Sequence, residues 1–327
     1  MKSRSNLNFY TGIKNMSLKR SADKARTILR ENNFPFSDDV TLEPSGRSFP
    51  KGGQYGVEIP AVNNMMMLET IVSTLRENET YCTRFNETHG SFLLSDREIK
   101  DMLQLCHENH YGMLIGLGPR PEYDVKSSFY RTQFGMEQGR QLNNNDAIAH
   151  SIEEALRLSE LGCRGLIVYD PGVLFILNDL RKKNILPANM KFKTSSHCMV
   201  TNALIARLIA DVGADSITTA HDLSLATLYE IRRFNPDLVI DIPVDVYASK
   251  GGYLRFYEVG ELAQIAAPMY LKVGASAQSH PYDSVGAPVA KERVRRLGLV
   301  LDHLQQVAPE LQKIDSTDPS VCLPQQM

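Results

Sequence analysis

The sequence predicts a single (β/α)₈ barrel of the TIM type. Short strand-like and longer helix-like segments alternate from residue 55 to 307, and the alternation repeats eight times. Several of the strand-like segments also carry ionisable residues on one face of an apolar run. An open doubly wound sheet is the competing architecture, and the count of eight units favours the barrel over it.

The elements follow in order. YGVEIP (55–60) precedes a helical pattern over 64–77, YCTRFN (81–86) precedes 95–109, and GMLIGL (112–117) precedes 146–161. RGLIVYD (164–170) leads into 172–184, and MKFKTSS (190–196) into 200–212. DSITTA (215–220) with 222–234, DLVIDIP (237–243) with 258–266, and MYLKVG (269–274) with 287–307 complete the set. Ser95-Asp-Arg-Glu98 reads as a capping box, and Asn202 and Asp222 suit helix starts. Gly162, Gly213 and Asn235-Pro236 stop helices where the period ends. Residues 1–50 read as an N-terminal extension, 51–307 as the barrel and 308–327 as a loose tail. Within the extension, SLKRSADKARTILREN is an amphipathic helix with Leu18, Ala22, Ala25 and Leu29 on its apolar stripe.

Composition excludes several classes of partner. A net charge of -2 gives no global reason to expect nucleic acid or an anionic membrane, and the basic residues near the N-terminus lie on a solvated helix face. No apolar run is long enough to span a bilayer, and the first residues lack the apolar core of a signal peptide. The 5 cysteines, with no CxxC spacing, fit reduced thiols in a cytoplasmic protein.

Strand alternation sorts the candidate residues. In MYLKVG, Met269, Leu271 and Val273 face the helices, and Lys272 faces the barrel interior. By the same parity Asp241 and Asp245 point inward, as do Lys193, Ser195 and His197. Barrel enzymes work at the C-terminal ends of their strands. There the chain places Glu58, Asn63, Asn86, His89, Arg120, Asp170, His197, His221, Asp245 and Lys272. Glu58, His89, His197 and His221 are residue types that hold Zn²⁺, Mn²⁺ or Fe²⁺, although no HxH or HExxH spacing joins them. Lys272 is a Schiff-base candidate if its charge is suppressed, and an ion-pair partner for Asp241 or Glu58 if it is not.

The loops after the seventh and eighth strands predict an anion site. Ser249, Lys250, Gly251, Gly252 and Arg255 form one side, and Gly274 and Ser276 the other. Glycine-rich backbone can present N–H groups to an oxyanion, and Lys250 and Arg255 add charge. Arg120 is a further candidate for binding the substrate anion, and it lies in a long aromatic and basic loop over 118–145 that reads as a lid.

Two stretches, GCRGLIVYDPGVLFILNDLRKK and MKFKTSSHCMVTNALIARLIADVGADSITTAHDLSLATLYEIRR, resemble the collagenase-like peptidase (U32) family. The resemblance rests on the strand ending in Asp-Pro-Gly, the turn from Ser196 to Asn202, and the Ala-Asp-x-Ile strand followed by a Leu-Ser helix. MYLKVG is similar to the family's Leu-Lys-Ile-Glu-Gly-Arg segment, with Lys272 at its lysine and Gly274 and Ser276 replacing its Glu and Arg. FLLSDREIKDMLQLCHENHYGMLIGL suits an earlier unit, so the likeness runs over roughly residues 80–305. It implies the barrel and, by the family's name, peptide hydrolysis. Cysteines that hold an iron–sulfur cluster in several relatives are absent around SKGGYLRF, so no such cluster is expected.

These readings lead to one main expectation. The chain should be an enzyme acting on a small anionic or peptide-like substrate, most simply a metal-assisted hydrolase. Lys272, His197, Glu58 and Asp245 are its expected catalytic groups. A metal-free lyase or aldolase-type enzyme using Lys272 is the alternative, and a non-catalytic binding subunit is the third. A homo-oligomeric state stays open.

Overall fold

The computed structural model describes residues 22–38, 40–119, 141–281, 283 and 285–326. Two compact units emerge, Met1–Asp38 and Asp39–Met327. In the first, helix α1 (Asp23–Glu31) carries its charges around a narrow apolar stripe and buries no residue.

The second unit is a closed parallel barrel in which each strand pairs with the next and β8 pairs back with β1. Its strands are β1 (Tyr55–Ile59), β2 (Arg84–Glu87), β3 (Gly112–Gly116), β4 (Gly165–Val168), β5 (Lys191–Thr194), β6 (Ser216–Thr218), β7 (Val239–Pro243) and β8 (Met269–Lys272). Each falls within or against a segment expected from the sequence. The long helices between and after them are α2 (Met65–Glu77), α3 (Asp96–Glu108), α4 (Asn145–Glu160), α5 (Pro171–Lys182), α6 (Ala203–Val212), α7 (Leu225–Phe234), α8 (Val259–Ala266) and α9 (Ala287–Val307). The Ser95–Glu98 capping box forms, and Asn202 caps α6. Asp222 does not cap α7. Ser224 does so instead, accepting from Thr227 N–H, while Asp222 sits at φ 59 in the preceding turn. Among the described residues no helix is long and apolar enough to cross a membrane.

Two apolar layers follow from the alternation. Val57, Ile59, Phe85, Met113, Ile115, Ile240, Ile242, Met269 and Leu271 meet the helices in one large core. The other parity fills the barrel itself. Tyr270 packs at its lower end with Phe49, Val239, Ile314 and Val321, and the Phe49 and Tyr270 rings meet edge to face at 5.5 Å. Gly56 leaves room for Tyr270, because a Cβ there would come within 2.4 Å of the ring.

The loose tail expected over 308–327 is instead ordered through residue 326, and it closes the bottom of the barrel. Ile314 N–H donates to Tyr55 C=O, Met113 N–H to Cys322 C=O, and Gln325 N–H to Gly162 C=O. Close approach explains Gly112: a Cβ would lie 1.6 Å from the Val321 carbonyl oxygen. Residues 40–50 belong to the same lower cap. Phe49 is buried, and Lys51 N–H is held 3.0 Å from an Asp318 carboxylate oxygen. The compact unit therefore extends on both sides of the 51–307 span expected for the barrel.

Candidate functional site

Above the apolar floor the inward residues are charged. Arg84 of β2 donates from Nε to Glu58 Oε2 at 2.8 Å and from Nη2 to Asp241 Oδ1 at 2.5 Å. Lys193 Nζ of β5 reaches both Glu58 oxygens, at 2.5 and 2.6 Å, and lies 3.6 Å from Asp241 Oδ2. Asn86 also donates to Glu58. Below, Arg84 Nη1 donates to the Ser320 carbonyl at 2.7 Å, and its guanidinium lies over the Tyr270 ring. The lower cap thus fixes the arginine that orients both carboxylates.

These side chains are almost fully buried, so their charges depend on one another. Burial alone would raise Glu58, but Lys193, Arg84 and Lys272 hold it well below the usual carboxylate range. Burial pushes Lys193 down to about 8, against the pull of Asp241 and Glu58. At neutral pH the Glu58–Lys193 ion pair persists, because Lys193 at about 8 still lies above 7 and Glu58 lies well below it.

The third cation is Lys272 of β8. Its Nζ lies 3.5 Å from Glu58 Oε1, and its side chain keeps 15% exposure. That exposure opens into a cavity of about 90 Å³ at the C-terminal mouth, lined among others by Asn86, Tyr169, Ser195, His197, Thr218, His221, Tyr247 and Lys250. His221 is held down to about 4, first by burial and then by the Lys272 and Lys250 charges, so its imidazole is neutral at pH 7. His197 stands in a 3₁₀ turn after β5 rather than on the strand, with its ring centroid 6.3 Å from that of Tyr169.

The expected metal set does not assemble. Glu58, His89, His197 and His221 come from different strand ends, and among the described residues no three His, Cys, Asp or Glu side chains gather to hold an ion. Glu58 in particular has both oxygens occupied by Arg84, Lys193 and Asn86.

The expected anion site is also revised. Gly274 and Ala275 N–H donate to Asp245 Oδ1 at 2.9 and 3.2 Å, and Ser276 N–H and Oγ donate to Oδ2 at 3.1 and 2.5 Å. A carboxylate of the chain itself therefore fills that nest, so Asp245 is a loop clamp. On the other side Ser249 N–H goes to Ser279 C=O, Lys250 and Gly252 N–H to Tyr247 C=O, and Gly251 N–H to Ala248 C=O. Arg255 is turned away to Glu258 and the Leu223 carbonyl. Only the Lys250 side chain of this group lines the mouth cavity. Arg120 and its loop lie outside the described residues.

Sequence reasoning did not single out Arg84 or Thr218. Arg84 had a visible signal, a charge within an apolar strand beside Phe85, but its partners sit on β1 and β7 and follow only from barrel closure.

Residues 141–247 match the model of peptidase family U32. No curated protein matches the chain. Among solved structures, a U32 peptidase is similar at 15% identity and TM-score 0.40, covering 62% of this chain and 73% of its own. A 4-hydroxy-2-oxoglutarate aldolase is similar at 11% identity and TM-score 0.41, covering 76% and 94%. A 3-keto-L-gulonate-6-phosphate decarboxylase from Vibrio cholerae is similar at 9% identity and TM-score 0.42, covering 78% and 100%.

Proposed function

We propose that this U32-family barrel, matched to that family over residues 141–247, is an enzyme that acts on a small carbonyl-bearing anion at its C-terminal mouth, with Lys272 as the reacting amine. The observation that carries the reading is the position of Lys272. Its Nζ is anchored beside Glu58 and still exposed to a cavity that also holds a neutral His221. An excess of one cation in the buried network favours an incoming anion.

The chemistry follows from these groups. The Lys272 ammonium first gives up a proton to solvent at the cavity mouth; the free amine then adds to the substrate carbonyl, and the carbinolamine takes up a proton at oxygen and loses water to give an iminium. That cation draws electrons from the adjacent carbon, whose proton a neutral imidazole can accept. Glu58 stabilises the nitrogen in its positive forms, the ammonium and the iminium. The reaction class is then lyase or aldolase-like.

A hydrolytic reaction in the same cavity is the second reading, and the family match favours it. His221 would accept a proton from water and Lys272 would stabilise the oxyanion. A Zn²⁺, Mn²⁺ or Fe²⁺ version would need ligands beyond Glu58, whose oxygens are already bonded.

Proton NMR of pyruvate in deuterium oxide separates the two. Iminium chemistry predicts loss of the methyl signal with wild-type protein and not with Lys272→Met. Unchanged methyl protons at high enzyme concentration, together with release of a new amine from a peptide panel, would transfer the assignment to hydrolysis.

A further inference from the structure

The mouth cavity contains a polar group that the reading above does not use. Thr218, the last residue of β6, lines the cavity and is only 1% exposed, yet its Oγ1 has no hydrogen-bond partner among the described residues. A buried hydroxyl left unpaired is costly, and in a native structure it calls for a partner such as a bound water or ligand.

Charge and size restrict that partner. Lys272 brings positive charge to the cavity, and its neighbour His221 is neutral, while Asp245 has both oxygens committed to the 274–276 loop. A hydroxyl donor and an ammonium, with no uncommitted carboxylate among the cavity groups just named, suit an anion rather than a cation. A cavity of about 90 Å³ corresponds to roughly three waters, enough for a molecule of a few heavy atoms.

We infer that Thr218 is a specificity-determining residue that donates its hydroxyl hydrogen to the carboxylate of a two- to four-carbon acid, whose adjacent oxygen-bearing carbon faces Lys272. The inference rests on the reading of the mouth as a site for a carbonyl-bearing anion, and it adds the substrate class. The carboxylate places a 2-oxo group, and not a more distant one, within reach of the amine.

Calorimetry with pyruvate and with lactate tests it, using wild type, Thr218→Val and Thr218→Ser. Lactate has no carbonyl and binds without forming an iminium, so it reports the carboxylate contact alone. Saturable binding of both acids to wild type is expected, weakened at least tenfold by Thr218→Val and by less than about threefold by Thr218→Ser. Thr218→Val should melt no lower than wild type, because the hydroxyl it removes has no partner among the described residues. Failure of both acids to bind, or equal binding by Thr218→Val, would overturn the inference. Binding of both acids that depends on the Thr218 hydroxyl but leaves Lys272 unmodified would keep the inference and remove the iminium chemistry.

Discussion

Lys272 Nζ lies 3.5 Å from Glu58 Oε1, and Lys193 Nζ donates to that same oxygen at 2.5 Å. One carboxylate thus ties an exposed amine to a fully buried one. The arrangement predicts unequal costs of mutation. Glu58→Gln leaves Arg84, Lys193 and Lys272 facing Asp241 alone, and removing one partner from a buried network costs about 3–5 kcal/mol. Lys272→Met removes the surplus cation and should cost about 1 kcal/mol or less. Urea unfolding of the two variants checks the ordering.

His221 makes stability depend on pH. Its value falls from 6.5 in the unfolded chain to about 4 in the fold, so between these values the unfolded state binds more protons. Stability from this group is complete above pH 6.5 and is lost as pH falls through 4. Its full contribution is about 3 kcal/mol. His221→Gln should flatten that part of the stability–pH curve, measured by urea unfolding at pH 7 and 4.5, and an unchanged slope would show that the imidazole is already solvated.

Asp245 predicts a rescue. Asp245→Ala leaves the N–H groups of Gly274, Ala275 and Ser276 converging on an empty place. A loss of about 3 kcal/mol is expected from the broken charge-assisted bonds. Added formate or acetate should restore part of it in a thermal melt, and should not raise the melting temperature of wild type comparably.

Gly112 tests the lower cap. A Cβ at this position collides with the Val321 backbone carbonyl, which can retreat only if the tail lifts. Gly112→Ala should cost about 1–3 kcal/mol and expose residues 313–326 to proteolysis under conditions where wild type resists.

The sequence made the eight strands legible because each buries alternate apolar residues against helices, and a period of two survives in five residues. It also placed Lys272 and Asp241 inside the barrel by parity. The tail was not legible, since it docks through backbone bonds at Ile314, Cys322 and Gln325 and has neither helical nor strand period. The site was half legible. Lys272, His197 and His221 do share a cavity, but glycine spacing at 274–276 could not reveal that Asp245, 29 residues before Gly274, already occupies their N–H groups. Thr218 looked like any strand threonine, and only the closed barrel shows its hydroxyl without a partner among the described residues.

Peptide-level mass spectrometry after borohydride reduction in the presence of pyruvate tests the central claim most directly. Hydride adds to the iminium carbon and fixes the three-carbon acid to the nitrogen as a stable secondary amine. The account predicts one reduced adduct, located on Lys272 and absent from Lys272→Met. An unmodified Lys272 at saturating pyruvate, or an adduct confined to Lys250 or Lys193, would contradict it.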